Sequence, residues 1–589
     1  MKNLLGLSGL RACNLGTAHL VTPLVFAVIL VSLWLFMPAR SPDYGAPAVA
    51  EGTGDRLTPS QFERQSSVPG IQALLLQIEE GSSAREGLVK ELLGPPSADA
   101  PLTAGALIDQ LARQPAGSGS LQSLFGRGIG PFSGICAHRS EHSAYPWPPL
   151  PASPTFDKIA AAYESFHARC TAAGGNVSQL VSSGTTPPCK YIVYTITLFN
   201  NGGLGNQLLS LVSTLLYGML TARVVLVHDK TLPAELLCEP FRGSSWQFPD
   251  AVMPVPSDLR QGDISDLPCG AGGSDSSLGV WNQTIGKTQV VFMDVKHCSR
   301  GKPVLFSDAA SEELEAADWL AVYSNQYFLP ALYHQRRFLP LLREIFPDNR
   351  PGARLMRQFF HPIDAVWQHV KREYAENMAD RGYRIGAQLR FFQQPVDVDS
   401  FLKRLIRCGH TTGKLPRLDE MTDNREANIR LVNGLTNRSI FVGTLEAGVK
   451  TGVHSVYGKS GSEHVAFHVF ESNNDTQEDY GLRDHKKMAL IDIWLMSYVQ
   501  TLIVSPESTF GHTAMALGNT ETWVLDREPL DGCSKARARE PCYQHVPGAY
   551  DYQLAEKEES DGRLGFLRSL SGVVSMCNDQ YGGLTFVNS

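Results

Sequence analysis

The sequence has few charged residues and no excess of basic ones. Asp, Glu, Lys and Arg together make up 19% of the 589 residues, and the formal net charge is -7. Because nucleic-acid binding normally needs a basic surface, this balance gives no support for a nucleic-acid partner and favours a neutral polysaccharide or a small ligand. The hydrophobic share of 43% is typical of a globular protein, and the length predicts two or more domains.

The cysteines are dispersed, and no Cys-x-x-Cys pair occurs among the 11 of them. Zinc ribbons and thioredoxin-like redox sites, which use such pairs, are therefore not predicted. Cys13 precedes the apolar run described below and is expected on the cytosolic side of the membrane. The other ten of the 11 are an even number, which is typical of disulfide pairing in a secretory compartment. The connectivity stays open, although Cys533 and Cys542 are close enough to close a short loop.

Long hydrophobic runs are scarce, since only Leu20 to Met37 is apolar and uncharged over a membrane-spanning length. Such a helix spans about 27 Å, close to the thickness of bilayer hydrocarbon. Basic residues precede the run, which favours a cytosolic N-terminus. We therefore expect a cytoplasmic tail over 1–19, an uncleaved signal anchor over 20–37 and a lumenal remainder. A cleaved signal peptide is the alternative.

The segment that follows, residues 38–154, is rich in Pro, Ser, Gly and Ala. This composition is typical of linkers, so we expect a flexible stem with one short amphipathic helix over Ile71 to Leu93. Asn-x-Ser/Thr sequons fit lumenal surface loops. They lie at Asn176, Asn282, Asn437 and Asn474.

Strand-like and helix-like segments alternate from residue 155 onward. Tyr191 to Phe199, Gln207 to Thr221 and Val224 to Val227 predict a strand, a buried helix and a strand, which form a right-handed parallel βαβ unit. Further strands are predicted at 384–389, 439–444, 465–470, 501–504 and 522–525, with a helix at 486–499. We therefore expect an α/β fold with two Rossmann-like domains, at 155–380 and 381–589, facing each other across a cleft.

Two turns after predicted strands could receive a ligand. Gly202-Gly-Leu-Gly-Asn206 lets another molecule approach the backbone closely, but Leu208 stands where the dinucleotide fingerprint needs Gly, so NAD and FAD are not predicted. Ser508-Thr-Phe-Gly511 opens a helix whose hydroxyls and free amides could hold a diphosphate. The alternatives are a plain strand–helix turn at the first motif and ordinary capping by Ser508 or Thr509 at the second.

Three charged features near the predicted strands suggest donor chemistry. Arg390 ends a strand and could neutralise a pyrophosphate leaving group, the alternative being a solvated or ion-paired arginine. Asp492 could accept hydrogen bonds from guanine or ribose, although helix-surface carboxylates are more often solvated. Asp397-Val-Asp399 has the D-x-D spacing of metal-dependent transferases, but so short a pattern often arises by chance.

From about Cys189 to the C-terminus the chain resembles the plant xyloglucan fucosyltransferase family, through an ordered series of short motifs. They are Cys189-Lys-Tyr-Ile-Val193, Gly203-Leu-Gly-Asn206, Leu237-Cys-Glu-Pro-Phe241, Ser245-Trp246, Tyr327-Phe-Leu-Pro330, Phe360-His-Pro362, Ile385-Gly-Ala-Gln-Leu-Arg390, the helix Lys487 to Ile493, Ser508-Thr-Phe-Gly511, Glu540-Pro-Cys542, Tyr550-Asp551 and the region of Cys577.

The resemblance implies a Golgi type II membrane enzyme with a GT-B-like fold, an inverting mechanism and no metal or other cofactor. The donor would be GDP-fucose, and α-fucose would be added, usually (1→2), to galactose on a polysaccharide or glycoprotein glycan. Xyloglucan, arabinogalactan-protein glycans and pectic galactose stay open as acceptors, because acceptor grooves are built from loops that motifs do not constrain. A homodimer also stays open.

The resemblance also implies roles for particular residues. Arg390 and Asn325 are the catalytic candidates. The expected donor-binding residues are Gly205, Asn206, Gln388, Arg390, Thr444, Asp492, Ser508, Thr509, Phe510 and Asp551.

Two residues depart from the family pattern. Asn325 stands where the family usually has an Asp that is a candidate general base, and an amide cannot take a proton. An amide can still orient an acceptor hydroxyl, and leaving-group stabilisation can carry the reaction; the alternative is loss of activity. Tyr552 replaces a family Cys, so one disulfide could be missing or rewired.

Overall fold

A computed structural model gives the architecture of the chain. The structure describes residues 101–113, 136–137, 141, 147–173, 187–195, 203–228, 232–241, 243–248, 280–285, 288–295, 305, 314, 316–390, 397–415, 438–458, 467–472, 483–526, 532–544, 572–577 and 583–587.

A five-stranded sheet organises the first half of the fold. Its spatial order is β2-β1-β5-β4-β3, and all neighbouring strands are parallel except the β3–β4 hairpin. The predicted βαβ unit is confirmed, because β1 and β2 are parallel and flank a helix. The strands are β1 (Lys190–Thr195), β2 (Arg223–His228), β3 (Val280–Ile285), β4 (Thr288–Val295) and β5 (Trp319–Ser324).

In the part of the chain that the structure describes, seven helices precede, connect or follow the strands of this sheet. They are α1 (Ala104–Arg113), α2 (Pro154–Ala173), α3 (Leu204–Leu220), α4 (Leu329–Leu332), α5 (Leu339–Ile345), α6 (Pro351–Phe359) and α7 (Asp364–Asn377), with a π-helical turn at Leu232–Leu236. In α3 every residue except Asn206 is buried. A helix that is apolar on all sides must lie inside the protein, so α3 is the central helix of this half.

A six-stranded sheet organises the second half, in the order β11-β10-β9-β6-β7-β8. Strands β6 to β10 are parallel, and β11 is antiparallel to β10. This is the doubly wound Rossmann order, and it confirms an α/β fold. The elements are β6 (Tyr383–Gln388), α8 (Val398–Thr411), β7 (Arg438–Gly443), α9 (Ala447–Val453), a π-helical turn at His454–Gly458, β8 (His468–Phe470), α10 (Arg483–Met496), β9 (Thr501–Val504), α11 (Thr509–Gly518), β10 (Glu521–Leu525) and β11 (Cys533–Lys535).

A hydrophobic core continues from one half to the other. It joins the first sheet and α3 to α10, α11 and one face of the second sheet, including Phe441 and Leu502. A second core, around Ile440 and Ile503, fills the opposite face of the second sheet. Near the C-terminus a two-stranded ribbon of β12 (Val574–Met576) and β13 (Leu584–Phe586) pairs antiparallel. The two halves are thus packed against each other by shared apolar contacts.

The expectation of a flexible stem is wrong for the parts of 38–154 that the structure describes. Leu107 and Leu111 of α1 are fully buried in the first core. Trp147 donates from Nε1 to the Ser497 hydroxyl at 2.9 Å and stacks on Tyr498. The Pro- and Ser-rich composition of the segment gave no sign of these contacts. A few large apolar residues, here Leu107, Leu111 and Trp147, are enough to hold such a segment on a core.

The disulfide pairing, which the sequence left open, does not join Cys533 to Cys542. Disulfides join Cys136 to Cys238, Cys170 to Cys189, Cys408 to Cys533 and Cys542 to Cys577. Sequence separation misled here, because β11 carries Cys533 to α8, whereas the chain beyond it carries Cys542 to the region after β12.

The sequons and the apolar run lie mostly outside the described residues. Asn282 belongs to the edge strand β3 and not to a loop, which corrects that expectation. The other three sequons, Leu20 to Met37 and Ile71 to Leu93 are outside the described residues. Among the described residues, no helix has both the length and the apolar character needed to span a membrane.

Candidate active site

The strand order of the second sheet creates a crevice between β6 and β9. The chain leaves β6 toward β7 and β8 on one side and returns through β9 and β10 on the other. At such a switch point the loops after the two strands diverge and open a ligand site at their carboxyl ends. Gln388 ends β6, Arg390 follows it, and Ser508 follows β9.

Arg390 is fixed to the loop after β9. Its backbone N–H donates to the Ser505 hydroxyl at 2.8 Å, and the Ser505 N–H donates to the Gln388 carbonyl at 3.0 Å. The two strand ends are therefore tied together directly beside the first turn of α11. Ser505 was missed from the sequence, because a single serine after a short strand carries no distinctive signal.

The first turn of α11 sits against the end of β6. A Cβ added at Gly511 would lie 2.9 Å from Gln388 Oε1 and 2.7 Å from a Val504 methyl, so only glycine lets the helix approach the strands this closely. Gln388 is 5% exposed, and its Oε1 has no hydrogen-bond partner among the described residues. A buried amide oxygen usually meets a donor, so this oxygen is available to a donor group of a ligand bound in the crevice.

The residue that precedes α11 does not cap it. Ser508 occupies the N-cap position, but its side chain makes no hydrogen bond to the helix amides. The expected alternative of ordinary capping by Ser508 is therefore not what the structure shows. Glu507, just before it, has φ +61, a left-handed conformation that non-glycine residues rarely adopt. This turn leaves first-turn amides available to an anion.

The N-terminus of α3 meets the N-terminus of α11. A Cβ added at Gly205 would lie 2.7 Å from the Phe510 nitrogen and 2.8 Å from the Thr509 carbonyl carbon. The Thr509 hydroxyl donates to the Asn206 side-chain oxygen. The close approach predicted at Gly205 is therefore made, on the side where a Cβ would point, by the backbone of α11. Contact of Gly205 with a ligand stays a prediction.

Two positive helix ends converge at this contact. Each N-terminus carries a partial positive charge from its unpaired amides, so bringing two together is unfavourable unless an anion lies nearby. Asn206, Thr509 and Phe510 are all partly exposed at this point. The arrangement is suited to bind a phosphate or diphosphate group.

Two further predicted residues lie along the same edge of the sheet. Thr444 follows β7, and its hydroxyl accepts the Glu446 N–H at 3.2 Å. Asp492 on α10 is buried, and its carboxylate accepts a hydrogen bond from Ser472, just after β8. Asp492 is therefore not a solvated surface carboxylate. Asp551 lies outside the described residues.

Asn325 occupies the corresponding edge of the first sheet. It follows β5, which lies next to β1 where that sheet reverses its strand order. Its side-chain oxygen accepts from Gln326 Nε2 at 2.8 Å. The preceding carbonyl, of Ser324, accepts the Tyr194 hydroxyl at 3.2 Å, which anchors the end of β5.

The D-x-D pattern has a structural explanation. Asp397 is the N-cap of α8 and accepts the Ser400 N–H at 3.0 Å, while Asp399 lies in the first turn, where a negative charge suits the helix dipole. Within the described ranges, no group of three or more His, Cys, Asp or Glu residues could hold a metal ion.

A buried carboxylate behind the site was missed from the sequence. Glu540 is 2% exposed and accepts hydrogen bonds from the Tyr327 hydroxyl and from the Gly352 and Ala353 amides. Burial raises the pKa of Glu540 to about 7, although these hydrogen bonds oppose the shift. Both Tyr327 and Glu540 stand in motifs that carry the family resemblance, but no sequence spacing predicts that they touch.

Comparison with known families decides the assignment. The family model for xyloglucan fucosyltransferases matches residues 105–553. The chain belongs to the xyloglucan fucosyltransferase family. It is accordingly a glycosyltransferase.

Relatives within this family are distant in sequence but similar in extent. A galactoside 2-alpha-L-fucosyltransferase of Arabidopsis thaliana is 28% identical over 454 residues, covering 73% of this chain and 77% of the relative. An enzyme with the same name from Pisum sativum is 27% identical over 443 residues, covering 72% and 75%.

A solved structure of an Arabidopsis thaliana FUT1 variant in complex with GDP has the same fold. Its TM-score is 0.59 at 24% identity, and the match covers 78% of this chain and 98% of that one. The fold expected from the resemblance is therefore confirmed as that of the GT-B-like fucosyltransferases.

Proposed function

We propose that this protein transfers L-fucose from GDP-fucose to a galactose residue of a cell-wall glycan such as xyloglucan. The product would carry an α-1,2 link, made with inversion and without a metal. One observation carries the proposal: the N-termini of α3 and α11 converge beside Arg390, at the crevice between β6 and β9. The names of the relatives, which are galactoside 2-alpha-L-fucosyltransferases, support the chemistry.

The order of the strands gives the donor a direction. Asp492, Thr444 and Arg390 lie near the ends of β8, β7 and β6, and β9 with Ser508 comes next. Neighbouring strands are about 4.8 Å apart, so the row spans about 14 Å, which suits an extended nucleoside diphosphate. Guanine would lie toward Asp492, ribose toward Thr444, and the diphosphate against Arg390 and the amides of α11.

The charge that develops on the departing GDP is the centre of the chemistry. The Arg390 guanidinium and the amides of the first turn of α11 would stabilise it, which promotes cleavage of the bond between fucose C1 and the β-phosphate oxygen. The galactose hydroxyl attacks the opposite face of C1, hence the inversion. Asn325, at the carboxyl edge of the first sheet, would orient that hydroxyl. Because an amide cannot accept the hydroxyl proton, the proton would pass to a phosphate oxygen of the departing GDP.

We further propose that the enzyme is a single-pass type II protein of the Golgi membrane, anchored by Leu20 to Met37. The length and apolar character of that run support this placement. Detection of the chain in Golgi membranes, with its C-terminal part protected from added protease, would test it. Release of the protein by carbonate washing would overturn the anchor.

The activity itself is tested with the full-length protein in detergent. GDP-fucose, EDTA and a panel of galactosylated acceptors, including xyloglucan oligosaccharides, are incubated with it, and products are digested with an α-1,2-specific fucosidase. We expect transfer in the presence of EDTA and release of the added fucose. Absence of transfer to every galactoside would contradict the proposal.

Asn325 motivates a second candidate function, a catalytically inactive glycan-binding relative. In that case the protein would bind galactosides without turnover, and Asn325→Asp would restore activity. Measurable turnover by the wild-type chain would rule this out.

A further inference from the structure

A short stretch of chain after β11 runs beside the donor-side helix. At one end of this stretch, which we call the 539–544 segment, Arg539 Nη1 donates to the Asn519 carbonyl, at the C-terminus of α11, at 3.1 Å. At the other end, Gln544 Nε2 donates to the Glu507 carbonyl, just before the N-terminus of α11, at 3.3 Å. Six extended residues reach about 17 Å and a ten-residue helix is about 15 Å long, so the segment spans α11 antiparallel to it.

The same segment contacts the first half of the fold, on which the acceptor would bind, through the side chain of Glu540. The Glu540 carboxylate accepts the Tyr327 hydroxyl, the Gly352 N–H at 3.0 Å and the Ala353 N–H at 3.1 Å. The two amides belong to the first turn of α6, whose N-terminal dipole favours a negative charge there. A Cβ added at Gly352 would lie 2.6 Å from both Glu540 Oε2 and the Tyr327 hydroxyl, so there is no room for a side chain at this position.

Tyr327 lies two residues after Asn325, in the same stretch of chain after β5. On one side of Asn325, the Ser324 carbonyl is held by Tyr194, whose hydroxyl also donates to the Gln207 carbonyl of α3. On the other side, two residues away, Tyr327 is held by Glu540. Asn325 therefore lies between two anchored positions. The Tyr194 hydroxyl, which also contacts α3, holds Ser324 on one side, and Glu540 of the 539–544 segment holds Tyr327 on the other.

We propose that Glu540 is a positioning residue that sets the distance between the Asn325 loop and the donor-binding helix α11. This rests on the proposed function, in which the acceptor lies against the Asn325 loop and the diphosphate against α11. Because Glu540 and Arg539 are adjacent, one peptide unit connects Tyr327 and α6 to the C-terminus of α11. Gln544 holds the other end of the segment beside the N-terminus of α11, where the diphosphate would bind. A shift of this connection would move the acceptor hydroxyl away from fucose C1 while leaving GDP contacts in place.

A carboxylate suits this position better than any other side chain. In its ionised form it accepts three hydrogen bonds and donates none, and all three of its partners are donors. Glutamine would turn an amide NH2 group toward a backbone N–H or the Tyr327 hydroxyl, which leaves a buried donor unpaired. Tyr327→Phe removes one bond with little change of shape and is the milder variant.

The test compares Tyr327→Phe and Glu540→Gln in the full-length protein with two matched controls. Tyr457→Phe removes another buried phenol hydroxyl, one that has no hydrogen-bond partner among the described residues. Glu521→Gln changes a carboxylate that pairs with Lys414 and Lys535 on the second sheet. The measurements are the KM values for acceptor and for GDP-fucose, GDP-fucose hydrolysis without acceptor, and backbone hydrogen exchange over residues 324–332.

We expect both test variants to raise the acceptor KM about tenfold, the equivalent of one charge-assisted hydrogen bond, with the KM for GDP-fucose and the rate of donor hydrolysis changed less than about twofold. Hydrogen exchange over 324–332 should accelerate in these variants and not in the controls. An unchanged acceptor KM in Tyr327→Phe, or equal rises of both KM values, would overturn the positioning role.

Failure of the proposed function gives a different pattern. If the wild-type chain makes no fucosylated product, the hydrogen-exchange comparison still decides the role of Glu540: faster exchange over 324–332 supports it, and unchanged exchange overturns it. Should Glu540→Gln fail to fold, Tyr327→Phe provides the same two readouts.

Discussion

The Thr509 hydroxyl donates a hydrogen bond to the side-chain oxygen of Asn206. These residues belong to the first turns of α11 and α3, and Asn206 is the one residue of α3 that is not buried. The contact joins the two Rossmann-like halves at the point where both helix dipoles are positive. An anion bound there would offset their mutual repulsion, so ligand binding and the packing of the two halves are coupled.

Replacing Thr509 tests this junction. Thr509→Val keeps the shape and removes the hydroxyl, which leaves Asn206 without its partner from α11. We expect GDP affinity, measured by calorimetry, to fall about fivefold to tenfold, the usual range for one hydrogen bond. Thr411→Val is the control, because among the described residues that hydroxyl donates to the Arg407 and Cys408 carbonyls of its own helix. Equal GDP affinity of Thr509→Val and wild type would contradict the coupling.

Gly205→Ala forces the two helices apart. The new methyl group would lie 2.7 Å from a backbone nitrogen, and the backbone cannot move aside as a side chain does. We expect a loss of about 1–3 kcal/mol in the free energy of unfolding, and a drop in transfer of about tenfold or more. The control is Gly105→Ala on α1, where an added Cβ would meet no described atom within 4 Å outside the backbone of its own helix. That variant should gain up to about 1 kcal/mol from better helix propensity.

The cap at Asp397 separates a structural from a metal-binding role. Asp397→Ala should lower the free energy of unfolding by about 1 kcal/mol through loss of the N-cap of α8, and Asp397→Asn should restore most of it. Both variants should transfer fucose at the wild-type rate in EDTA. Activity that depends on added divalent ion, and is lost in both variants, would show instead that Asp397 binds a metal.

The raised pKa of Glu540 should make the free energy of unfolding depend on pH. Its pKa is raised from 4.5 to about 7, chiefly by burial, with Tyr327 and Asp348 as the nearby titratable groups in its electrostatics. Because the folded state holds this proton more tightly, the contribution of Glu540 is fully present below about pH 4.5 and is lost as the pH rises through 7.

The measurement is denaturant unfolding of wild type and Glu540→Gln between pH 5 and pH 8. The wild type should lose up to roughly 3 kcal/mol relative to the variant as the pH rises, since each unit of pKa shift is worth about 1.4 kcal/mol. Buried His167 and His334, whose pKa values are lowered to about 4 by burial, affect both proteins equally and cancel in the difference. A difference that is constant with pH would contradict the raised pKa.

Local patterns were enough to predict the elements that carry the site. The strand at 501–504 matches its predicted bounds, and the turns at Gly205 and Ser508 lie at the starts of α3 and α11 as expected. Short apolar strands bounded by polar turns have a strong local signal, and the doubly wound order then brings Arg390 and Ser508 to one edge without further information.

Contacts between distant parts of the chain could not be predicted in this way. Glu540 and Tyr327 are 213 residues apart, and Cys408 and Cys533 are 125 apart. Nothing in spacing or periodicity marks such pairs, because they depend on how the two sheets dock. The approach of α11 to Gly205 is of the same kind. The glycine indicates that another group packs closely against the backbone at this position, but the sequence does not show which group it is.

Arg390 is the residue on which transfer depends most. Arg390→Ala should lower turnover about 10²-fold or more, because a charge-assisted contact to the departing diphosphate is lost. Arg390→Lys should recover only part of it, since lysine lacks the bidentate fork. Arg372→Ala is the control, because that side chain is largely exposed on α7.

The affinities of wild type, Arg390→Ala and Arg390→Lys for GDP and for guanosine test most directly whether Arg390 and the first turn of α11 hold one diphosphate. We predict that Arg390→Ala weakens GDP binding about tenfold or more and leaves guanosine binding within about twofold, with Arg390→Lys intermediate for GDP. Unchanged GDP affinity, or an equal fall for guanosine, would contradict the shared diphosphate site.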